Sequence, residues 1–217
     1  MRQRAAILLS LALLAAGCQH NAATTQVSPA ASSSPTDAVR AYYSAIYDGN
    51  WPALEAVTVN SDVSTTWLKA MQRSEVSDRE LAAAIRAKFG DQAFTRYFPL
   101  LNSREITMKS LQGATASING DKAAVDIPML PGMANSKYRL DAMKVNGMWK
   151  VDARQADSGL QMRAARALDD RAAKISELSK RVAAGEFNSA DDVRVAYRTI
   201  ANSLRRALAD NSSENSK

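Results

Sequence analysis

One cysteine and one histidine stand among 217 residues. A lone cysteine excludes an internal disulfide, so the fold stands on packing alone. A lone histidine, with no Cys/His spacing around it, leaves no metal-binding pattern. His20 sits in a polar stretch near the N-terminus, where it reads as a linker residue rather than a base. There is no glycine-rich phosphate loop and no nucleophile elbow, which argues against the chemistry those parts serve and implies no cofactor. The 28 basic side chains alternate with 22 acidic ones and form no long cluster, which argues against a nucleic-acid partner. Hydrophobic residues make up 46% of the chain, enough for a real core.

What is present begins at the N-terminus. Arg2 and Arg4 form a positive start, and Ala5 to Ala16 (AAILLSLALLAA) is an uncharged apolar run. This reads as a secretory signal over residues 1–17, too short to span a bilayer as a mature helix. The run Leu14-Ala15-Ala16-Gly17-Cys18 resembles the lipobox of bacterial lipoproteins, with Leu14 one residue earlier than that family's usual leucine. The resemblance implies that the Cys18 thiol takes a diacylglyceryl group, that the signal is cut before it, and that the new amine is acylated, with palmitate for example. One acyl chain holds a protein only marginally, whereas several add roughly 0.8 kcal/mol per buried methylene. Gln19, in place of the aspartate that commonly retains such proteins at the inner membrane, implies the outer membrane facing the periplasm in a double-membraned cell. Removing residues 1–17 leaves 200 residues and, without Arg2 and Arg4, a net charge of +4. Residues 18–34 are small, polar and proline-containing and read as a flexible tether with a reach on the order of 20 Å.

The first helix begins at Pro35, capped by Ser34 with Asp37 as its capping-box-like partner. Val39, Tyr42, Tyr43 and Ile46 make its apolar face, and Asp48-Gly49-Asn50 ends it. Trp51-Pro52 opens a short helix with Leu54 and Val57. Another follows around Val63, Trp67, Leu68 and Met71. Ser77 with Glu80 reads as a capping box for a further helix carrying Leu81, Ile85 and Phe89, which Gly90 breaks. From Arg104 the period changes, and Arg104 to Lys109 (REITMK) reads as a short strand. Ala114 to Ile118 and Lys122 to Met129 flank Asn119-Gly120-Asp121, a hairpin signal, with Pro128 placing that strand's far end at an edge or bulge. Pro131 to Ser136 reads as a loop. Lys137 to Val145 and Met148 to Ala153 flank Asn146-Gly147, the strongest hairpin signal in the chain, with Trp149, Val151 and Ala153 on one face. The pattern predicts an α+β domain over residues 35–155: helices followed by an antiparallel sheet of at least four strands.

Two segments make this order recognisable. Ser34-Pro35-Thr36-Asp37-Ala38-Val39 through Asp48-Gly49-Asn50-Trp51-Pro52-Ala53-Leu54 resembles the opening of nuclear-transport-factor-two-like domains, the cystatin-like and ketosteroid-isomerase-like group. Val145-Asn146-Gly147-Met148-Trp149-Lys150-Val151-Asp152 is similar to their closing hairpin. The resemblance implies helices packed on a curved, cone-like sheet with a cavity at its open end. The family includes isomerases, dehydratases, transport adaptors and lipoproteins, so fold does not fix function. Its enzymes place an aspartate or histidine base in the cone. Asp126, between Val125 and Ile127, points outward by strand alternation and reads as a solvated residue. Arg139 and Asp141 share a strand face and read as a surface pair. Tyr43, Trp51, Trp67, Tyr138 and Trp149 are the candidates for lining a pocket, or for plain core.

Residues 156–209 read as a C-terminal helical hairpin and 210–217 as a disordered tail. Leu168, Ala172, Ile175, Leu178 and Val182 form one stripe, with Asp170–Lys174 and Glu177–Arg181 as i,i+4 pairs. Gly185 stops that helix. Ser189 with Asp192 caps the next, whose stripe is Val193, Tyr197, Ile200 and Leu204. The hairpin either folds back on its own sheet or presents a contact surface to a partner or a second copy. The whole reads as a membrane-anchored envelope lipoprotein with a non-catalytic binding or accessory domain for a partner protein or small apolar ligand. An isomerase or lyase working from the cone is the rival reading.

Overall fold

The computed structural model describes residues 32–128, 137–154 and 158–209. The signal region, most of the tether, the Pro131–Ser136 segment and residues 210–217 lie outside them.

The first helix, α1 (Pro35–Asp48), starts as its sequence dictates: the Ser34 hydroxyl accepts the Asp37 N–H at 3.1 Å, and Pro35 occupies the first turn. Gly49 ends it at φ 68°, a left-handed conformation suited to glycine. Helix α2 (Trp51–Ala56) follows and leads into a two-residue strand, β1 (Thr58–Val59). Next comes a long helical stretch, α3 (Asp62–Tyr97), two helices joined across a kink at Gly90 and capped reciprocally at the start by Ser61 and Ser64. Two separate helices were expected here, the second starting at Ser77. Instead, the Ser77 hydroxyl donates to the Ser74 carbonyl at 2.8 Å within the continuing helix. Nothing between Gln72 and Ser77 breaks the backbone ladder, so a capping-box pattern has no free helix end to cap. Gly90 does interrupt α3, at φ 84° and ψ 164°, but the chain resumes as helix to Tyr97.

The expected strand at Arg104–Lys109 is helix α4 (Ser103–Ser110), entered through a 3₁₀ turn at Pro99–Asn102. Helical spacing stacks the Ser103 carbonyl and the Thr107 hydroxyl one turn apart, and both meet the Tyr47 hydroxyl, at 3.4 and 2.7 Å. A strand would have sent these two groups elsewhere. Short apolar periodicity cannot separate the two states by itself.

Strands β2 (Thr115–Asn119), β3 (Lys122–Pro128), β4 (Lys137–Val145) and β5 (Met148–Asp152) follow. The order across the sheet is β1-β5-β4-β3-β2. The four long strands are antiparallel, and β1 adds a parallel fifth at the β5 edge. Both hairpin signals act as read. Asn119 pairs with Lys122 around Gly120, and Val145 pairs with Met148 around Asn146 and Gly147, at φ 51° and 80°. Trp149, Val151 and Ala153 are buried on the helix-facing side.

The described residues build two main apolar cores. In the first, α1, α2 and the start of α3 cover the sheet through Val39, Ile46, Leu54, Leu68, Val125 and Val151. The second lies beyond the sheet. There the later half of α3 packs against α5 (Ser158–Ala183) and α6 (Ala190–Ala209) through Leu81, Ile85, Phe94, Ile175, Val182 and Val193. The C-terminal segment therefore folds back on α3. Its tie to the sheet is the buried Gln161 amide, which donates to the Ala153 carbonyl at 2.8 Å. Ser189 and Asp192 exchange the bonds of a capping box at the start of α6. Asp170–Lys174 forms at 2.7 Å. The expected Glu177–Arg181 pair is replaced: Arg181 reaches Glu186 at 2.8 Å and lies over the Phe187 ring, because the chain turns back at Gly185. No described helix is long and apolar enough to cross a membrane.

Candidate functional site

Between the two cores, the middle of α3 carries polar side chains into the interior. The Gln72 amide donates to the Ala45 carbonyl at 3.1 Å. One turn on, Ser74, Glu75 and Asp78 face α5 and the α4 region. Arg171 of α5 reaches in, one guanidinium nitrogen donating to Ser74 at 2.6 Å and the other to both Asp78 oxygens at 2.8 Å and to the Tyr197 hydroxyl at 3.1 Å. The Arg171 and Asp78 side chains are only 10% and 12% exposed. Burial pushes the Asp78 carboxyl above its ordinary range, and Arg171 pulls against that shift.

Glu75, partly buried, is the second acid. Its carboxylate accepts from the Ser103 hydroxyl at 3.2 Å. Burial pushes it above the ordinary glutamate range, and the neighbouring Asp78 charge adds to the rise; Ser103, Arg171 and Arg79 oppose it. Glu75 bears on tyrosines to both sides. Desolvation is the first cause of raised pKa values at Tyr43, Tyr47 and Tyr197, and the Glu75 charge raises each further. These phenols stay protonated at neutral pH and act as hydrogen-bond donors. The site is thus a pair of acids, Asp78 and Glu75, each raised by burial, beside a tyrosine cluster.

Of the five pocket candidates, two come together. Tyr43 and Tyr138 lie near enough for the Tyr138 phenol to help raise Tyr43, after desolvation. Tyr43 also stacks on Tyr47, with ring centroids 6.2 Å apart, and meets Tyr42 edge-on at 5.2 Å. Tyr138 is 46% exposed, so the cluster reaches the surface there. Trp51 and Trp67 pack against the first core, and Trp51 is covered by the Lys69 ammonium at 4.8 Å. Trp149 sits apart with Ala38, Ala123 and Ala142. Cys18 and His20 lie outside the described residues. Asp126 points away from the core and pairs with Arg139 at 2.9 Å. The expected Arg139–Asp141 pair is thereby corrected: Asp126 stands directly across from Arg139 in the β3–β4 register, closer than a same-strand neighbour two residues on.

Glu75, Asp78 and Arg171 escaped the sequence reading. The signal available was the run Gln72, Ser74, Glu75, Ser77, Asp78, polar all round a helix that also carries Leu68 and Leu81. A helix without a clean polar face lies between two layers.

Two surface depressions lie away from this cluster. One, about 410 Å³, lies on the outer sheet face among Lys122, Asp141, Met143, Asp152 and Arg154. The other, about 370 Å³, runs between α5 and α6 beside Leu178, Ala196 and Ile200. Among the described residues no three His, Cys, Asp or Glu side chains gather as a metal ion requires. Compared with protein-family models, curated proteins and solved structures, the chain matches none.

Proposed function

We propose that this protein is a lipid-anchored lipoprotein of the bacterial envelope. Its globular part is a nuclear-transport-factor-two-like domain extended by a C-terminal helical hairpin, and it serves as a binding or accessory module for a partner protein or small apolar ligand. The observation that supports a non-catalytic role is the filling of the sheet's helix-facing side. Ile46, Leu54, Leu68, Val125 and Val151, each at most 2% exposed, pack together between the helices and the sheet. Cys18 would hold the chain to the membrane, with the outer membrane favoured in a double-membraned cell. The test of the anchor is Cys18→Ser. The variant is expected to leave the membrane fraction on salt or carbonate extraction; retention would place the anchor elsewhere. The binding role is tested by pull-down from detergent-solubilised envelopes, where recovery of no specific protein and no bound apolar molecule would count against it.

A specific observation favours the rival reading of an isomerase or lyase. Glu75 is a carboxylate raised by burial beside Tyr43 and Tyr47, and a base of that kind suits proton transfer. Turnover of any small molecule found bound, abolished by Glu75→Gln with the fold intact, would make that reading the better one.

A further inference from the structure

The two edges of the sheet are built differently. At one, the two residues of β1 and the Ser32 carbonyl, which accepts the Trp149 N–H at 3.2 Å, occupy the outer side of β5. At the other, β2 is an edge strand with no strand beyond it among the described residues. Exposed edges are ordinarily blunted by charge, proline, a bulge or extreme shortness. Strand β2 has none of these. Its five residues, Thr115-Ala-Ser-Ile-Asn119, are uncharged and all exposed. They pair residue for residue with β3, from Thr115–Asp126 to Asn119–Lys122, without a bulge. Pairing places Ala116 and Ile118 on the face where their neighbours Val125 and Ala123 are 0% and 6% exposed, yet Ile118 is 59% exposed. The apolar row of the sheet thus runs on past its cover.

We propose that this edge pairs antiparallel with β2 of a second copy of the chain, about a twofold axis through Ser117. The strand is self-complementary in that register. Ser117 faces its own copy, Thr115 faces Asn119, and the small Ala116 of each chain lies opposite the large Ile118 of the other. Directly opposed strand residues point to the same face, so both Ala116–Ile118 pairs fall on the helix-facing side and cover the exposed isoleucines. No like charges meet, because the strand carries none. A foreign strand could satisfy the backbone equally; this strand's own sequence sets small Ala116 against large Ile118 and meets neutral with neutral at every position. Two five-residue strands bury less than a standard interface, so the dimer is weak and concentration-dependent. The inference stands on the edge itself and not on the lipid anchor.

The test uses the full chain with Cys18→Ser, which removes the only native thiol. Sedimentation is expected to show a monomer–dimer equilibrium, weakened at least about tenfold by Ile118→Lys, which places an ammonium in the apolar row. Unchanged circular dichroism and cooperative melting of Ile118→Lys show that its fold is intact, since the side chain is exposed. Adding Ser117→Cys is expected to give a disulfide-linked dimer on mild oxidation. Val195→Cys, 56% exposed on α6, is the control that should not cross-link. A monomer at every concentration up to about 1 mM, or a dimer indifferent to Ile118→Lys that cross-links through Val195→Cys, would overturn the proposal.

Discussion

Replacing Arg171 by methionine takes the guanidinium from the junction of α3 and α5 and leaves Asp78 buried, 12% exposed, without its cation. Removing one member of a buried ion pair destabilises a protein by about 3–5 kcal/mol, mainly because the remaining charge cannot reach water. For a domain of this size each kcal/mol lowers Tm by roughly 2–4 °C, so Arg171→Met should melt about 6–20 °C lower. The reciprocal change, Asp78→Leu, should cost a comparable amount. The double variant Asp78→Leu/Arg171→Met should return to within about 1–2 kcal/mol of the native protein, since apolar groups of similar volume can replace a buried pair at little loss. The pH dependence has a definite sign. Burial already raises Asp78, and Arg171 lowers it. Without Arg171 the folded-state pKa climbs further above its unfolded value. A group shifted in that direction favours the fold below the unfolded pKa and loses that advantage as pH rises through the folded pKa. The deficit of Arg171→Met should therefore be large near pH 7.5 and shrink towards pH 5, to be read by urea denaturation at about those two values. A deficit below about 1 kcal/mol, a deficit that grows on acidification, or single and double variants that simply add would refute the reasoning.

Other expectations concern single positions and one truncation. Glu75→Gln should raise the urea midpoint at neutral pH and lose that advantage in acid: with its folded-state pKa above the unfolded value, Glu75 favours the fold below the unfolded pKa, and that contribution is lost as pH rises through the folded one. Gly147→Ala, at φ 80° with no atom within 4 Å of the added methyl, should cost about 1–2 kcal/mol from backbone strain alone, measured by chemical denaturation. Ile85→Ala, at a fully buried site in the second core, should cost about 2–5 kcal/mol by the same assay. Ending the chain at residue 156 should expose Leu81, Ile85 and Phe94 and leave Asp78 unpaired, so the fragment should aggregate or melt without cooperativity. A soluble, cooperatively melting fragment would show that the helices beyond it are a dispensable contact surface.

Much of the fold was legible where the physics is local. Asn146-Gly147 and Gly120-Asp121 announce hairpins because positive φ is easy for few residues. Ser34-Pro35 and Ser189-Asp192 announce helix starts because a hydroxyl or carboxylate there satisfies orphan N–H groups. The failures share a cause of the opposite kind. Ser77 and Glu80 form a capping pattern, but whether a helix begins there depends on whether the preceding one has stopped. Ile106 and Met108 alternate like a strand, but the Tyr47 hydroxyl, 56 and 60 residues back along the chain from its partners Ser103 and Thr107, meets a helix. Strand β1 is only two residues long and takes its identity from β5. The candidate site was legible to the same degree. Tyr43 and Tyr138 were singled out as aromatics and do meet. Asp78 and Arg171, 93 residues apart, carry no local mark of each other.

The placement of both cores along one helix sets the order in which the protein can fold. The early half of α3 finds its partners in α1 and α2, close by in sequence. The sheet can close only when β5 reaches β1, about a hundred residues after α1 begins. The later half of α3 waits longest, since Leu81, Ile85 and Phe94 are covered by Ile175, Val182 and Val193 at the far end of the chain. Loop-closure entropy makes such distant contacts slow to form. As the chain emerges from its N-terminus, an apolar helix surface therefore stands uncovered until nearly the last residues arrive. That interval, rather than any weakness of the finished structure, is when exposed apolar surface leaves the unfinished chain most open to aggregation.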